Sequence, residues 1–569
     1  MRQNRSVTGA DEWLTRFEWQ SVIWAPQARR RALLGLHPTW ALESVPLHVY
    51  RNQPVEHILA AAGAFFSYAN VDISATTFGD YDDSLSFSSD DEGAVAEMIW
   101  IDFDRLVVRD DVAKMLEWFV GRVQARRAVT TRPILVANWA STSDDAAQFN
   151  DELAQGDIKS LGDIKSLGDI VLCDVAAIRS ELGDQYMDVR GEGFAGSALS
   201  NTALLETARR LASWWLPAAM RTALKAVVVD LDETIYSGVL GEDGFEGVTL
   251  TGGHRRLQEA LLQLHASGVL LAMVSKNDDR DVIELFARRS DFPLTLGHFA
   301  ARAVSWGSKL DALQTVCDAM HISASAAVYL DDNAGEMTSI AAANLGTHLV
   351  FARDVDVATA GLQWVPGLRP QRAATVIDRT SDIRADAARK QQGGERPEDY
   401  LASLGVVLTL SDSDAYLPRA AELIAKTNQF NLSLGRMSEV ALRQGSAEGV
   451  LHCVTVALRD RLSDSGVVGV LVARDLGDSW LIEELNISCR ALGRHLEDAM
   501  IAAMQLELPK DRPSTQWRYC EGARNSPAVE WLRRRAGTPI EGDGFVTTRE
   551  SGVELRQTVT SLPITLEHS

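Results

Sequence analysis

Two carboxylates one residue apart close an apolar run in VVVDLDETIY: Asp230 ends the run, Asp232 follows it, and a turn opens at Thr234. Val227, Val228 and Val229 have the unbroken apolar character of a strand buried on both faces, as in a parallel sheet. Such a strand delivers the residue at its carboxyl end into the crevice where open α/β sheets bind ligands. In an extended chain the two acids project to one side. One can attack phosphorus while the other moves protons to and from the leaving and attacking oxygens. A surface turn that happens to be acidic would look the same in isolation, but three downstream pieces argue against it. VLLAMVSKND reads as a second strand, ending at Ser275, whose hydroxyl can hold a phosphoryl oxygen. Lys309 opens the helical stretch KLDALQTVCDAM and offers a point charge for phosphate. AAVYLDDN reads as a third strand ending in Asp331 and Asp332. Carboxylates there, with Asp230, make a hard oxygen site suited to Mg²⁺. Strand-end serines and acidic turns are individually common; four such pieces in this order over about a hundred residues are rarely accidental.

A second reactive group lies near the other end of the chain. Cys489, in SCRALGRH, is expected at a strand end directly before a helix beginning near Leu492. A helix dipole and the neighbours Arg490 and Arg494 would both favour the thiolate, a good acyl nucleophile. A buried structural cysteine is the commoner fate of a lone thiol. Thr427, Asn428, Gln429 and Asn431 in KTNQFNLS can hydrogen-bond a polyhydroxylated acyl group or pantetheine amides, or form a helix end followed by an Asn-rich turn.

The elements that must position these groups fall into segments. Up to about residue 218 apolar strands (AEMIWIDFD, RPILVANW) alternate with helical stretches, ending in the amphipathic NTALLETARRLASWWLPAAM. A tandem hexapeptide, GDIKSL, runs from Gly156 to Leu161 and again from Gly162 to Leu167, and reads as a duplication lengthening a loop or helix end. Residues 219–377 carry the acid, serine and lysine pieces, and polar residues 378–399 mark a linker. Residues 400–569 hold helix AAELIAKTNQF, strands VLHCVTVALRD, GVVGVLVARD and SWLIEELNIS, then helix ALGRHLEDAMIAAM, an α+β order. The 569 residues carry a net charge of −22, so no basic excess exists to release counterions from nucleic acid or to meet an anionic membrane. Five scattered cysteines form no CxxC pair, so neither a disulfide framework nor a zinc site is implied. No apolar run approaches the ~20 residues of a membrane span, no signal-peptide core follows the N-terminus, and a cytoplasmic location is expected.

VVVDLDETIY, VSKND, Lys309 and YLDDN resemble, in order, the four motifs of the haloacid-dehalogenase (HAD) superfamily. The resemblance implies Asp230 as nucleophile, Asp232 as acid/base and Asp331 as metal ligand, with Asp332 as second ligand or as orienter of the lysine. The metal set is then Asp230, Asp232, Asp331 and Asp332, with Ser275 and Lys309 completing the catalytic group. DLDETIYSGVLGEDG, YLASLG, KTNQFNLS, DSGVVGV, SCRALGR and the closing ARNSPAVEWLRRRAG, taken together, resemble the FkbH-like HAD glyceryltransferase/phosphatases of polyketide pathways. Glu233 stands where that family has Asn, and Tyr236-Ser237 where it has Trp-Gly. RALGRH is similar to the RxxGxG/A turn of GCN5-related acetyltransferases (GNAT), with His495 in place of the last small residue. The fold implied is α/β: a HAD-type Rossmann-like parallel sheet, preceded by an SGNH-hydrolase-like α/β domain and followed by a GNAT-like α+β domain. The first domain has no GDS or Asp-x-x-His motif, so it is expected to be noncatalytic, serving carrier docking or support. The implied reaction takes a C3 acyl phosphate, typically 1,3-bisphosphoglycerate, through a Cys489 thioester to the phosphopantetheine thiol of an acyl carrier protein. Arg490, Gly493, Arg494, Asn428 and Gln429 would bind the phosphopantetheine arm. A plain Mg²⁺ phosphatase of a small phosphometabolite and a carrier-binding scaffold are the alternatives.

Overall fold

Unbroken apolar runs become the inner strands of two parallel sheets, where both faces are covered and no polar alternation is needed. The computed structural model describes residues 9–568 except 74–75, 79–86, 88–91, 107–111, 156–169, 192–197, 221–223, 369–379, 386–403, 462, 489–490, 493–495, 510–511, 523–524, 537–543 and 550. The GDIKSL duplication, Cys489, Arg490, Gly493 and Arg494 therefore lie outside the described residues. The chain forms two compact units, Met1–Ala374 and Thr375–Ser569.

In the first unit, helix α1 (Gly9–Ile23) precedes a sheet of β1 (Leu47–Arg51), β2 (Thr76–Phe78), β3 (Ala96–Trp100), β4 (Ile134–Ala137) and β5 (Ile170–Cys173). Their spatial order is β2-β1-β3-β4-β5, all parallel. Ser200 then caps helix α2 (Asn201–Arg210), its side chain accepting from the Ala203 N–H. That helix continues through a π-helical turn, Leu211–Trp215, into Leu216–Met220. The boundary expected near residue 218 thus falls inside one helical run.

The second sheet of this unit contains β6 (Ala226–Val229), β7 (Leu270–Ser275), β8 (Phe299–Val304), β9 (Ala327–Asp331) and β10 (His348–Phe351) in the order β8-β7-β6-β9-β10, again all parallel. One hydrophobic core extends from Trp19 to Leu368 and takes in strands of both sheets. Two contacts fasten the sheets together. On α1, Gln20 donates from Nε2 to the Leu349 carbonyl (3.0 Å) and accepts the Phe351 N–H at Oε1 (3.0 Å), extending the edge of β10. After α2, Trp214 stacks on Trp364 at 4.7 Å and 10° and donates its indole N–H to the Gln363 carbonyl (2.8 Å).

The second unit is built on a mostly antiparallel sheet. Its strands are β11 (Val406–Ser411), β12 (Phe430–Asn431), β13 (Leu451–Arg459), β14 (Asp464–Asp475), β15 (Trp480–Ile487), β16 (Thr515–Tyr519), β17 (Gly544–Thr548) and β18 (Ile564–His568). The order is β17-β16-β15-β14-β13-β11-β18, with β12 paired to β15. Alternation of buried residues in β13 and β14 places Leu451, Cys453, Val470 and Val472 in the core beneath the helices Leu417–Lys426 and Glu439–Ala447. Residues 380–385, within the segment expected to be a linker, are helical, and Asp382, 2 % exposed, accepts a hydrogen bond from the Ser465 hydroxyl (2.8 Å). Among the described residues no helix is long and apolar enough to cross a membrane.

Candidate active site

β6 and β9 lie side by side with Val229 opposite Leu330, so the next residues of each strand, Asp230 and Asp331, emerge as neighbours. Asp230 is 4 % exposed and Asp331 0 %. One oxygen each from Asp230, Asp331 and Asp332 lies within 4.8 Å of the others. Lys309, the first residue of its helix (Lys309–Ala319), points its ammonium between the two buried acids, 2.9 Å from Asp230 Oδ2 and 2.7 Å from Asp331 Oδ2. Tyr329 donates its hydroxyl to the same Asp331 oxygen (2.6 Å), while the Asn333 N–H donates to Asp331 Oδ1 (2.8 Å).

One ammonium thus faces three carboxylates. Burial, and then the charge of Asp331, push the Asp230 carboxyl well above the usual carboxylate range; the same two causes raise Asp332. Burial opposes the charge on Lys309, but Asp230 and Asp331 outweigh it and hold the ammonium above its ordinary value. An excess of buried negative charge on oxygen ligands fits a hard divalent cation. Asp230, Asp331 and Asp332 would hold Mg²⁺.

Asp232 stands outside that carboxylate cluster. Its Oδ1 accepts from the Tyr236 hydroxyl (2.7 Å) and the Leu240 N–H (3.1 Å), and its Oδ2 from Asn277 Nδ2 (2.8 Å). These three donors hold the side chain in place, and its oxygens are not among the clustered carboxylate oxygens of Asp230, Asp331 and Asp332. Asn277 Nδ2 also donates to the Ser275 hydroxyl (2.9 Å), so one amide aligns both groups. Thr234 links the two strand ends, donating to Asp332 Oδ1 (3.3 Å) and accepting the Asp332 N–H (3.2 Å). Between these residues Glu233 has φ +54°, the left-handed region that Asn tolerates better than Glu. The Gly238 N–H donates to Glu233 Oε1 (2.7 Å) and anchors it there. At the rim, Trp306 is 72 % exposed; a Cβ on Gly241 would lie 3.8 Å from both its ring and Asn277 Oδ1.

Three functional side chains escaped the sequence. Tyr329 had a signal, since strand alternation puts it on the same side as Asp331. Tyr236, in the first motif itself, and Asn277, two residues after Ser275, had only their nearness.

In the second unit β15 and β16 pair in parallel only from Trp480 to Ile482 and Thr515 to Trp517. Beyond that, β12 takes the edge of β15, with Phe430 opposite Ile487 and Asn431 opposite Asn486. The Leu432 carbonyl accepts the Cys520 N–H (3.0 Å), so residues 430–432 fill the gap where the two strands part. Asn431, fully buried, ties the loop down through the Thr427 carbonyl (3.2 Å) and the Leu434 N–H (2.8 Å). Asn428 and Gln429 are exposed, and Asn428 Oδ1 accepts from Arg436 (2.8 Å). The helix expected to run through TNQF ends at Lys426, because Phe430 and Asn431 pair with β15 instead. Among the described residues, the helix expected near Leu492 starts at Glu497.

No family model and no curated protein matches the chain. Solved structures are similar in part. The N-terminal part of BF1531 from Bacteroides fragilis, which contains a phosphatase domain and is complexed with Mg, is 18 % identical, covering 59 % of this chain and 95 % of that one at a TM-score of 0.45. A HAD-family hydrolase from Streptomyces avermitilis is 19 % identical over 26 % of this chain and 86 % of its own, at 0.18. FdhC, a nucleotide-linked sugar GNAT, is 10 % identical over 28 % and 92 %, at 0.20. These scores are low, and the chemistry of the site rests on its own residues. The architecture is α/β, with two five-stranded parallel sheets in the first unit and a mostly antiparallel α+β second unit.

Proposed function

We propose that the chain is a HAD-type, Mg²⁺-dependent phosphatase coupled to acyl transfer, taking a C3 acyl group from an acyl phosphate such as 1,3-bisphosphoglycerate to the phosphopantetheine thiol of an acyl carrier protein. The observation that carries the phosphatase half is the buried Asp230–Lys309–Asp331 cluster beside an Asp232 held separately by Asn277 and Tyr236. Mg²⁺ would offset charge on the phosphoryl oxygens. Asp230 attacks phosphorus, the bond to the leaving oxygen breaks, and Asp232 supplies that oxygen's proton. Water then attacks the aspartyl phosphate; Asp232 takes its proton, and inorganic phosphate leaves with Asp230 regenerated. Ser275 and Lys309 hold the transferring group. Trp306 at the rim and the exposed Asn428 and Gln429 are the surfaces for substrate and carrier arm.

For transfer, the Cys489 thiolate attacks the acyl carbonyl; the carbon–oxygen bond to phosphate breaks and phosphate leaves. The carrier thiol then displaces Cys489 from the thioester. Arg490 and Arg494, its neighbours in sequence, favour the thiolate; with Gly493 they are assigned to the phosphopantetheine arm. Intact-protein mass spectrometry of an acyl carrier protein, after incubation with the enzyme, Mg²⁺ and acyl phosphate, should show the mass of the acyl group. Phosphate release with an unmodified carrier and no enzyme-bound acyl group would favour a plain phosphatase.

A further inference from the structure

We infer that the first parallel sheet carries a ligand site of its own, a cavity for the carboxylate of a small organic acid with an apolar body. The strand order β2-β1-β3-β4-β5 reverses between β1 and β3, and open parallel sheets bind ligands outside the carboxyl ends of strands at such a reversal. A cavity of about 320 Å³ lies there, reached by Gln53 after β1, by Trp100 to Arg105 at and after β3, and by Ala137 to Ala140 at and after β4. That volume is at the lower end for small-molecule pockets.

Its walls are fixed in advance. Asn52 pairs with both backbone groups of Asp102, at 2.9 and 2.7 Å. Asn138 Oδ1 accepts the N–H groups of Val175 (2.8 Å) and Ala176 (3.0 Å). Near the mouth, Arg105 pairs with the half-buried Asp102 (3.0 Å), and Asp104 accepts the Trp139 indole N–H (2.8 Å). Deeper hydroxyls are not so paired. Thr207 is 1 % exposed and Tyr186 5 %, both line the cavity, and neither hydroxyl has a hydrogen-bond partner among the described residues. Arg179 spends one nitrogen on the Ala140 carbonyl (2.9 Å) and lies over the Tyr186 ring, 5.3 Å from its centroid. No carboxylate pairs with it among the described residues. Arg179, with no carboxylate at ion-pair distance among the described residues, and the two hydroxyls offer donors to an anionic acceptor. Trp100, Phe103 and Leu199 offer the apolar wall for the rest of the molecule. The described lining contains no Ser, Cys or His.

The test is calorimetric titration of the full chain with hexanoate and phenylacetate, each against its neutral amide. At least one acid should bind with a Kd of about 1 mM or tighter and at least about tenfold better than its amide. Arg179→Gln should lose that preference, and Thr207→Val should weaken the acid by roughly threefold to tenfold. Both variants should keep wild-type phosphate release from p-nitrophenyl phosphate. Should Arg179→Gln not fold, Thr207→Val decides alone. Saturation by neither acid, equal binding of acid and amide, or undiminished binding in the folded variants would overturn the assignment.

Discussion

Asp230 and Asp232 are separated by one residue and by opposite surroundings: the first shares an ammonium with Asp331, the second accepts three neutral donors. Asp230→Asn should therefore abolish phosphate release from an ester such as p-nitrophenyl phosphate, and a chelator should do the same to the wild type. Asp232→Asn should leave attack possible but slow proton transfer by about 10² to 10⁴-fold. Asn277→Ala, which frees Asp232 without removing it, should cost a smaller factor, roughly 10 to 100-fold, mostly in kcat. Steady-state phosphate assays separate the three; an unchanged kcat in Asn277→Ala would show that the amide does not position the acid. Lys309 carries a different burden. It is 6 % exposed between two buried carboxylates, and breaking a buried ion pair costs about 3–5 kcal/mol. Lys309→Met should lower stability by about that amount in denaturant unfolding, with Mg²⁺ restoring part of it; a loss under about 1 kcal/mol would mean the cluster is solvated. The acids, the serine and the lysine were legible because each ends or begins an element. The Asn277–Asp232 contact was not, because it crosses 45 residues and two strands.

Elements were legible where composition acts locally. Val227 to Val229 and Leu330 announce buried parallel strands, and the apolar periodicity of residues 201–220 announces a helix. Its π turn left no mark in the sequence, since hydrogen-bond register does not change composition. Edge strands such as β8 and the two-residue β12 are defined by partners rather than by their own residues. Packing between elements was also invisible, yet it is sharply constrained. A Cβ on Gly361 would lie 2.6 Å from ring carbons of Trp24, which is 1 % exposed. Gly361→Ala should destabilise by about 1–3 kcal/mol, and Trp24→Leu in the same chain should recover part of that cost; additive losses would place the strain elsewhere. In the second unit, burial holds the Glu484 carboxyl above the ordinary range, against hydrogen bonds from Ser433, Met437 and Asn486 that favour its charge. A carboxyl raised on folding contributes stability that is fully present below its unfolded pKa and is lost as pH rises through the folded value. Glu484→Gln keeps an acceptor for Ser433 but does not titrate. From about pH 4 to about pH 7 the variant should lose less stability than the wild type, and parallel pH profiles of the denaturant midpoint would refute this.

At the scale of the molecule, the carboxylate–lysine site and the mostly antiparallel sheet belong to two compact units, and the proposed reaction needs both. A net charge of −22, with one lysine among three carboxylates at the site, suits an enzyme of small anions only if a cation such as Mg²⁺ offsets that charge. The two units should be separable by substitution. Asp230→Asn should stop removal of the phosphate ester while leaving the Cys489 thiol free to take an acyl group, so a carrier protein should accumulate with the phosphorylated acyl chain. Cys489→Ala should do the reverse: phosphate release from an ester persists, and neither an enzyme-bound thioester nor an acylated carrier forms. Cys173, Cys317 and Cys453 are buried, and burial raises the Cys317 thiol to about 11 and the Cys453 thiol to about 12, so neither competes as a thiolate. Alanine at these three positions should leave carrier acylation intact. Mass spectrometry of the carrier reads every arm of this comparison. Acylation by Cys489→Ala at the wild-type rate would remove the covalent route and leave direct transfer from acyl phosphate to the carrier thiol, with hydrolysis of the phosphate ester still confined to Asp230.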